Sequence, residues 1–209
     1  QWFLATYTGW QIVSVGHRVV HGGDLYSQPT VVDKQVLEHL TSFIPLAPLH
    51  EPHNVAGIKA LQDLMPDVPQ VACFDTAFHR SQSEVAQLFA LPRALTAEGI
   101  KRYGFHGLSY EYIARSLPQF THRADGRIIV AHLGNGASMA AMVNRKCVAT
   151  TLGFSTIDGL VMGTRCGNLD PGVVLHLMET KGWSVKDMTR ILYKESGLLG
   201  ISGISQDMR

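Results

Sequence analysis

The hydrophobic and polar positions of this chain alternate between the period of a strand and the period of a helix. Apolar stretches rich in β-branched or alternating residues predict strands at residues 12–20, 71–74, 127–131 and 138–143. The last two stretches flank Gly134-Asn135-Gly136, and an Asn-Gly pair between apolar runs is typical of a β-hairpin. Asn144-Arg145-Lys146 is a candidate second turn. The sequence therefore predicts a sheet built as a meander.

Stretches with helical spacing lie between these strands. Apolar side chains recur every three or four residues after possible helix starts at Asp33, Asn54, Pro171 and Ser184. Ser184 and Asp187 also match a capping box, and Gly197 is a candidate end for that helix. Because strands and helices alternate, the sequence predicts an α/β or α+β fold rather than a helical bundle or a β-sandwich.

The composition excludes some classes of protein. Of 209 residues, 45% are hydrophobic and 17% are charged, whereas a disordered chain would combine low hydrophobicity with high charge. The formal net charge is +1, so there is no electrostatic reason to expect a nucleic acid partner. A balanced net charge still allows a local basic cluster around a small anion.

Neither the cysteines nor the apolar runs indicate a further kind of site. Cys73, Cys147 and Cys166 form no C-x-x-C pair, so no zinc or redox motif is predicted, and thiols fit a reducing cytosol. No apolar run approaches the ~18 residues of a membrane helix, and no secretory signal opens the sequence. The sequence begins with Gln1 rather than Met and stops without a terminal helix, so we expect a piece of a longer chain.

Several common catalytic motifs are missing, namely the Walker phosphate loop, a complete dinucleotide fingerprint, H-E-x-x-H and G-x-S-x-G. Polar residues lie instead at turns beside the predicted strands. One group is the hairpin from His132 to Ser138, which could be only a type I′ turn. A glycine-rich hairpin tip also exposes backbone N–H groups to phosphate, and His132 and Ser138 would add side-chain donors.

Two arginines lie beside glycines. Arg18 stands between strand-forming residues, where it is either an exposed edge-strand residue or an anion clamp, since a guanidinium matches phosphate or carboxylate geometry. Arg165 lies in the glycine-rich loop 163–172, which could be a surface loop whose Asp170 caps the helix at Pro171. Each arginine is therefore a candidate anion ligand with a purely structural alternative.

An aspartate and a histidine complete the set of candidates. Asp75 follows a predicted strand, where open α/β sheets bind ligands, although an aspartate that caps the next helix is as common. His106 stands between Gly104 and Gly107, which allow close approach of a ligand, although lone histidines are usually structural. Together with the arginines and the glycine hairpin, these residues suggest phosphoryl transfer, which needs positioning and charge neutralisation more than covalent chemistry.

Six strings resemble the acetate kinase family, in its order and at about its spacing. They are VGHRVVHGG, APLHEPHN, FDTAFH, YGFHG, HLGNG and GLVMGTR, at residues 15–23, 47–54, 74–79, 103–107, 132–136 and 159–165, and residues 202–209 fit as well. The resemblance implies an α/β fold of the sugar-kinase/actin superfamily, with two RNase-H-like lobes around a nucleotide cleft. It also implies reversible phosphoryl transfer between ATP and acetate, giving ADP and acetyl phosphate, with Mg²⁺, in a cytoplasmic homodimer without a membrane partner.

On this resemblance, residues 1–77 are the remainder of the N-terminal lobe, on the acyl-substrate side. Residues 78–209 are the first part of the C-terminal lobe, on the nucleotide side. The family's chains are considerably longer, and their first phosphate-binding strand, adenosine loop and magnesium-linked glutamate have no counterpart here. We therefore expect both lobes to be incomplete and the segment alone to be inactive.

The resemblance assigns roles to individual residues. Arg18 and Arg165 would bind the acyl phosphate and the phosphoryl group in flight, and His106 would stabilise that group. Asp75 would organise the site, near Mg²⁺ or as a base toward the carboxyl group, and His50 would help to order it. No metal ligand is assigned within the segment.

The resemblance also assigns two pockets. Val20, Leu49 and Phe105 match the small apolar pocket for the acyl methyl group. The nucleotide would be held by one hairpin and by the end of the segment, at His132, Leu133, Gly134, Asn135, Gly136, Asp207, Met208 and Arg209.

Some positions depart from the family's pattern. Glu51 stands where the family usually has Asn, and Cys166 and Asn168 replace the commoner Ser and Asp. Thr156 occupies a position beside the acyl pocket that is often Pro, whereas Val20 favours the shorter acid by its volume. The alternatives are therefore a propionate or other short-chain acyl kinase and, from a different class, a non-catalytic fragment.

Overall fold

The structure is a computed structural model that describes residues 2–208, with the backbone only for residues 3 and 4. It divides into two compact units, Gln1–Ala77 and Phe78–Arg209. The segments predicted from the sequence have the same bounds, and their assignment to the two lobes of a kinase stays a prediction. Within the described chain, no helix is both long enough and apolar enough to cross a membrane.

In the first unit, a three-stranded sheet packs against helices. Its elements in chain order are α1 (Trp2–Thr6), β1 (Val15–Val19), β2 (Thr30–Val31), α2 (Lys34–Ser42), a 3₁₀ turn (Ile44–Leu46), α3 (Glu51–Leu64) and β3 (Gln70–Phe74). The sheet order is β1-β3-β2, with β1 parallel and β2 antiparallel to β3. Its core consists of buried apolar side chains from the strands and both longer helices, among them Val19, Leu40, Ile58 and Phe74.

One of the two predicted helix caps in this unit is confirmed and the other is wrong. Asp33 caps α2, and its side chain accepts a hydrogen bond from the Val36 backbone. Asn54 does not cap α3, because that helix already begins at Glu51 with Pro52 in its first turn. Proline favours this position because its fixed φ suits a helix and its missing N–H is not needed there. The Asn54 side chain instead accepts from the Val20 backbone N–H at 3.0 Å.

The second unit contains the predicted meander. Its elements in chain order are a 3₁₀ turn that begins at the unit boundary (Ala77–Ser81), α4 (Glu84–Gln87), α5 (Arg93–Ala97), α6 (Gly107–Ser116), a 3₁₀ turn (Leu117–Gln119), β4 (Arg127–Leu133), β5 (Ala137–Val143), β6 (Lys146–Thr150), α7 (Pro171–Lys181), α8 (Val185–Arg190), a π-helical turn (Ile191–Glu195) and α9 (Gly197–Ser202). The strands lie in the order β4-β5-β6, each antiparallel to the next. The helix starts at Asp170-Pro171 and at Ser184 are confirmed, and Ser184 and Asp187 form a complete capping box.

The type I′ turn lies in the second hairpin rather than the first. Asn144 and Arg145 have φ of 51° and 60°, which are the left-handed conformations that a two-residue I′ turn requires. No residue from 134 to 136 has a positive φ, so the prediction of a type I′ turn there is wrong. Leu133 pairs with Ala137, so this loop has three residues, whereas a type I′ loop has two. The Asn135 carbonyl in the loop accepts a hydrogen bond from Gly163 N–H at 3.0 Å. Gly197 likewise does not end the α8 helix but begins α9.

Candidate active site

In the first unit, Arg18 and Asp75 form an ion pair at the end of the sheet. Arg18 lies on β1, and Asp75 follows β3 directly, where its backbone N–H bonds the Val19 carbonyl at 2.9 Å. The Arg18 Nε is 3.2 and 3.1 Å from the two Asp75 oxygens, and Nη2 is 2.6 Å from Oδ2. The Asp75 side chain is 1% exposed and the Arg18 side chain 64% exposed.

This exposure decides what the pair can do. The hydrogen bond to Asp75 is the main cause that raises the pKa of Arg18, so the guanidinium stays charged. The pair occupies Nε and Nη2 on one edge of the guanidinium, and the remaining N–H groups lie on an exposed side chain. Arg18 is therefore an edge-strand arginine that is aimed by a buried carboxylate and can still receive an anion.

The segment after β1 is fixed by hydrogen bonds from three directions. Besides the bond from Val20 to Asn54, Gly22 N–H donates to the Thr76 hydroxyl at 3.0 Å, and Gly23 N–H donates to His21 Nδ1 at 2.9 Å. Gly22 has no room for a side chain, since a Cβ there would lie 2.7 Å from the Tyr26 carbonyl oxygen. The chain direction after Arg18 is thus set by residues close to it in space.

The acyl-pocket candidates of this unit differ in exposure. Val20 is buried, whereas Leu49 is 44% exposed. His50 is the N-cap residue of α3, with no side-chain hydrogen bond to the helix N-terminus. Val20 follows β1, and Leu49 and His50 directly precede α3. Phe105 belongs to the second unit.

Next to His50 lies a buried carboxyl group, Glu51. It is fully buried, and neither carboxyl oxygen has a hydrogen-bond partner among the described residues. Burial raises the pKa of Glu51 to about 8, and the His21 backbone, which approaches without hydrogen-bond geometry, offsets only part of this effect. Glu51 is therefore mostly protonated at neutral pH.

In the second unit, His106 begins α6 in a left-handed conformation with φ of 60°. The segment before it is held by His79, whose Nε2 bonds the Phe105 carbonyl at 2.8 Å and whose Nδ1 lies 3.1 Å from Cys147 Sγ. Gly104 has φ of 76°, and a Cβ there would lie 2.7 Å from the His79 ring. The backbone that carries His106 is therefore fixed by a buried histidine and a required glycine.

The His106 ring has a defined orientation. Its Nδ1 is 2.8 Å from the Ser138 hydroxyl, and Ser138 also hydrogen-bonds Tyr110. The ring stacks on His132 with centroids 4.1 Å apart, and His132 Nδ1 is 3.0 Å from the Ser109 hydroxyl. Ser138 is fully buried, so the expectation that it donates to a phosphate is wrong. Its hydroxyl instead orients His106.

Arg165 and His106 converge on Gly136. Arg165 Nη1 donates to the Thr156 carbonyl at 2.9 Å, and burial lowers its pKa from the usual arginine value. A Cβ on Gly136 would lie 3.4 Å from His106 Nε2 and 3.7 Å from Arg165 Nη1. Because Gly136 has no side chain, a nitrogen of His106 and a nitrogen of Arg165 both border the space beside its Cα.

The hairpin tip is attached to the loop that carries Arg165. Gly163 N–H donates to the Asn135 carbonyl, and a Cβ on Gly163 would also lie 3.1 Å from the Gln206 carbonyl oxygen. The next residues along the chain, Asp207 and Met208, are exposed. Arg209 lies outside the described residues. Gly163 therefore lies against Asn135 of the hairpin and against Gln206, the residue before the chain-end candidates. The Leu133 side chain is 75% exposed on the sheet.

Some residues of this site were not found from the sequence. His79 and Tyr110 are nearly or fully buried and act through hydrogen bonds to the His106 segment. Thr156 was placed beside the acyl pocket by the resemblance, but it contributes its backbone carbonyl to Arg165, which any residue type would supply. Of His79 and Tyr110, only His79 had a sequence signal, its position within the string FDTAFH, because the role of Tyr110 depends on contacts between distant parts of the chain.

The described side chains do not form a metal site by themselves. Within residues 2–208, no three His, Cys, Asp or Glu side chains are grouped so that they could hold a metal ion. Chemically, the first unit offers an exposed arginine aimed by a buried carboxylate. The second offers an arginine, a histidine and a glycine hairpin around one space. Both arrangements suit an anion whose charge must be neutralised.

Comparison with known proteins gives a consistent result. The sequence profile of the acetokinase family matches residues 6–209. The chain is 57% identical to an acetate kinase of Rhodopseudomonas palustris over 100% of its own length and 53% of the relative's. The chain thus spans about half the length of the curated relatives it matches.

Solved structures agree in fold. The chain resembles a propionate kinase from Francisella tularensis with a TM-score of 0.93 and 42% identity, covering 99% of this chain and 54% of that one. It resembles an acetate kinase from Entamoeba histolytica with a TM-score of 0.92 and 39% identity, covering 100% and 54%. These matches confirm the fold class expected from the sequence, a mixed α/β part of an actin-like kinase fold. The chain belongs to the acetokinase family.

Proposed function

We propose that the complete protein, meaning the natural protein that contains this segment, transfers a phosphoryl group reversibly between ATP and acetate. The products are ADP and acetyl phosphate. The observation that carries the proposal is the convergence of His106 Nε2 and Arg165 Nη1 on the space beside Gly136. Membership of the acetokinase family, and the activity in the names of the relatives, support the choice of reaction.

The proposal gives residues of each unit their own role. In the first, Arg18 binds the acyl phosphate, and Asp75 holds the guanidinium in place through its ion pair. In the second, Arg165 and His106 donate hydrogen bonds to the transferring phosphoryl group, whose equatorial oxygens carry the charge. His50 helps to order the acyl side, as the family resemblance implies.

The nucleotide phosphates lie along the hairpin from His132 to Gly136. Its backbone N–H groups and glycines allow phosphate to approach the main chain, and its tip is anchored through Gly163. Asp207, Met208 and Arg209 contribute to the adenosine side.

Mg²⁺ fits this proposal as a nucleotide-bound ion. Mg²⁺ keeps several waters and usually binds through one or two carboxylates plus substrate phosphates, so a cage of three side chains is not required. Asp75 is the carboxylate that the family resemblance assigns to this ion. When bound, the ion would offset negative charge on the phosphate oxygens.

The volume of the proposed acyl pocket decides which short-chain acid is the substrate. Val20 is a β-branched residue rather than a smaller one, and this favours acetate by volume. The likeness to a solved propionate kinase keeps a longer short-chain acid as the second candidate. We also propose that the complete protein is a cytoplasmic homodimer and that residues 1–209 alone are inactive.

Acyl hydroxamate formation tests the proposal. The complete protein, ATP, Mg²⁺ and hydroxylamine are incubated with acetate, propionate or butyrate, and kcat/KM is compared. We expect acetate to give the highest value. A higher kcat/KM for propionate would mean that propionate rather than acetate is the preferred substrate. The absence of hydroxamate with all three acids would refute the proposal. The same assay on residues 1–209 should give no product.

A further inference from the structure

A chain of hydrogen bonds runs from the core of the second unit to His106. Tyr110 on α6 bonds the Ser138 hydroxyl on β5, and Ser138 bonds His106 Nδ1 at 2.8 Å. Tyr110 and Ser138 are both fully buried, so neither can touch a substrate. Their hydroxyl protons must be placed among protein groups, because a buried donor without an acceptor costs ~1–3 kcal/mol.

The contacts of Tyr110 fix the direction of this chain. The Tyr110 hydroxyl has one hydrogen-bond partner among the described residues, the Ser138 hydroxyl. Because Tyr110 is fully buried, its proton has Ser138 as its available acceptor.

Counting donors then gives a single arrangement. If Ser138 donated to Tyr110, the phenol proton would have no acceptor among the described partners. If Tyr110 donates to Ser138, the Ser138 proton goes to His106 Nδ1 and both hydroxyl protons have an acceptor. Nδ1 of His106 is then an acceptor, and the ring proton is on Nε2, the nitrogen that faces Gly136.

We propose that Tyr110 and Ser138 are positioning residues that keep His106 in the Nε2–H tautomer, so that Nε2 always presents a donor to the transferring phosphoryl group. The inference rests on the proposed function for the identity of the acceptor. The tautomer itself follows from the hydrogen bonds alone. Without the relay, Nδ1 could carry the proton, and a lone pair on Nε2 would face the phosphoryl oxygens.

The test uses Ser138→Ala and Tyr110→Phe in the complete protein, with Ser109→Ala as the matched control. Ser109 is also a serine that bonds a histidine Nδ1, but that histidine is His132. In protein labelled with ¹⁵N-histidine, two-bond ¹H–¹⁵N spectra report which His106 nitrogen is protonated. We expect only Nε2 protonated in the wild type, the control and Tyr110→Phe, because the Ser138 proton keeps His106 Nδ1 as its acceptor in that variant. We expect a mixture in Ser138→Ala, where this donor is gone.

The kinetics provide a second readout. We expect kcat to fall about tenfold in Ser138→Ala while KM for acetate stays unchanged, since one charge-assisted hydrogen bond is lost only when the phosphoryl group is in flight. Tyr110→Phe should lose less, and the double variant no more than Ser138→Ala, because Ser138 is the residue that bonds His106. A proton on Nδ1 of His106 in the wild type, or an unchanged His106 tautomer in Ser138→Ala, would overturn the inference. An inactive wild type with the expected tautomer would refute the proposed function instead.

Discussion

Replacing the buried carboxyl of Glu51 should make the complete protein more resistant to alkaline pH. Burial raises the pKa of this group from 4.5 to about 8, so the folded protein holds a proton that the unfolded chain has released. Between these pH values the folded state binds more protons, and stability therefore falls as the pH rises. Glu51→Gln removes the titration while it keeps nearly the same volume.

The magnitude follows from the two pKa values. The raised pKa of Glu51 lowers the free energy of unfolding by about 2 kcal/mol at pH 6, and this loss approaches about 5 kcal/mol above the folded pKa. Glutamine has a burial cost of its own, but this cost does not change with pH. The informative quantity is thus the stability difference between the variant and the wild type, which should grow by roughly 2–3 kcal/mol from pH 6 to pH 9.

Chemical denaturation at pH 6, 7.5 and 9 measures this difference. Glu38→Gln is the matched control, since Glu38 is an exposed glutamate on α2 of the same unit. Its stability difference should stay within about 0.5 kcal/mol at all three pH values. A Glu51→Gln difference that is flat with pH would show that Glu51 ionises normally in the folded protein and that burial does not raise its pKa.

The remaining predictions concern the second unit. Gly136→Ala should keep the melting temperature but lower kcat/KM at least about tenfold, since its methyl fills the space beside His106 and Arg165; unchanged turnover would contradict this placement. Gly104→Ala should destabilise by roughly 2–4 kcal/mol in denaturation, because its φ is 76° and its Cβ meets the His79 ring. Burial lowers the pKa of His79 from 6.5 to about 4, so on acidification the unfolded chain binds a proton at a higher pH than the folded protein does. The free energy of unfolding should therefore fall by about 2–3 kcal/mol from pH 7 to pH 4.5, and His79→Gln should not show this contribution to the loss of stability in acid.

Local sequence signals predicted much of the fold. Asp33 and the Ser184–Asp187 box mark helix starts because their side chains bond backbone groups a few residues away. Asn54 was misassigned because its side chain bonds Val20, which is distant in sequence, while Pro52 sets the real start of the helix. The first hairpin was misassigned because its loop has three residues rather than the two of a type I′ turn, and Asn135 in that loop bonds Gly163, which is distant in sequence.

The candidate site was predictable only in part. Arg18, Asp75, His106 and Arg165 belong to strings that resemble a known family, and the structure shows how each is held within its unit. The direction of the Tyr110–Ser138 relay depends on burial and on pairings between α6 and β5. No spacing along the chain encodes these pairings, so the sequence alone could not supply them.

In the proposed reaction, arginine charge holds the phosphoryl group in flight. The most direct test compares kcat for acetate phosphorylation in the complete protein carrying Arg165→Ala, Arg165→Lys or the control Arg145→Ala, an arginine that pairs with Asp125 at an exposed turn. We expect Arg165→Ala to lose at least ~10²-fold with an unchanged melting temperature, Arg165→Lys to recover only part of this, and Arg145→Ala to match the wild type. Near-normal turnover in Arg165→Ala would contradict the account.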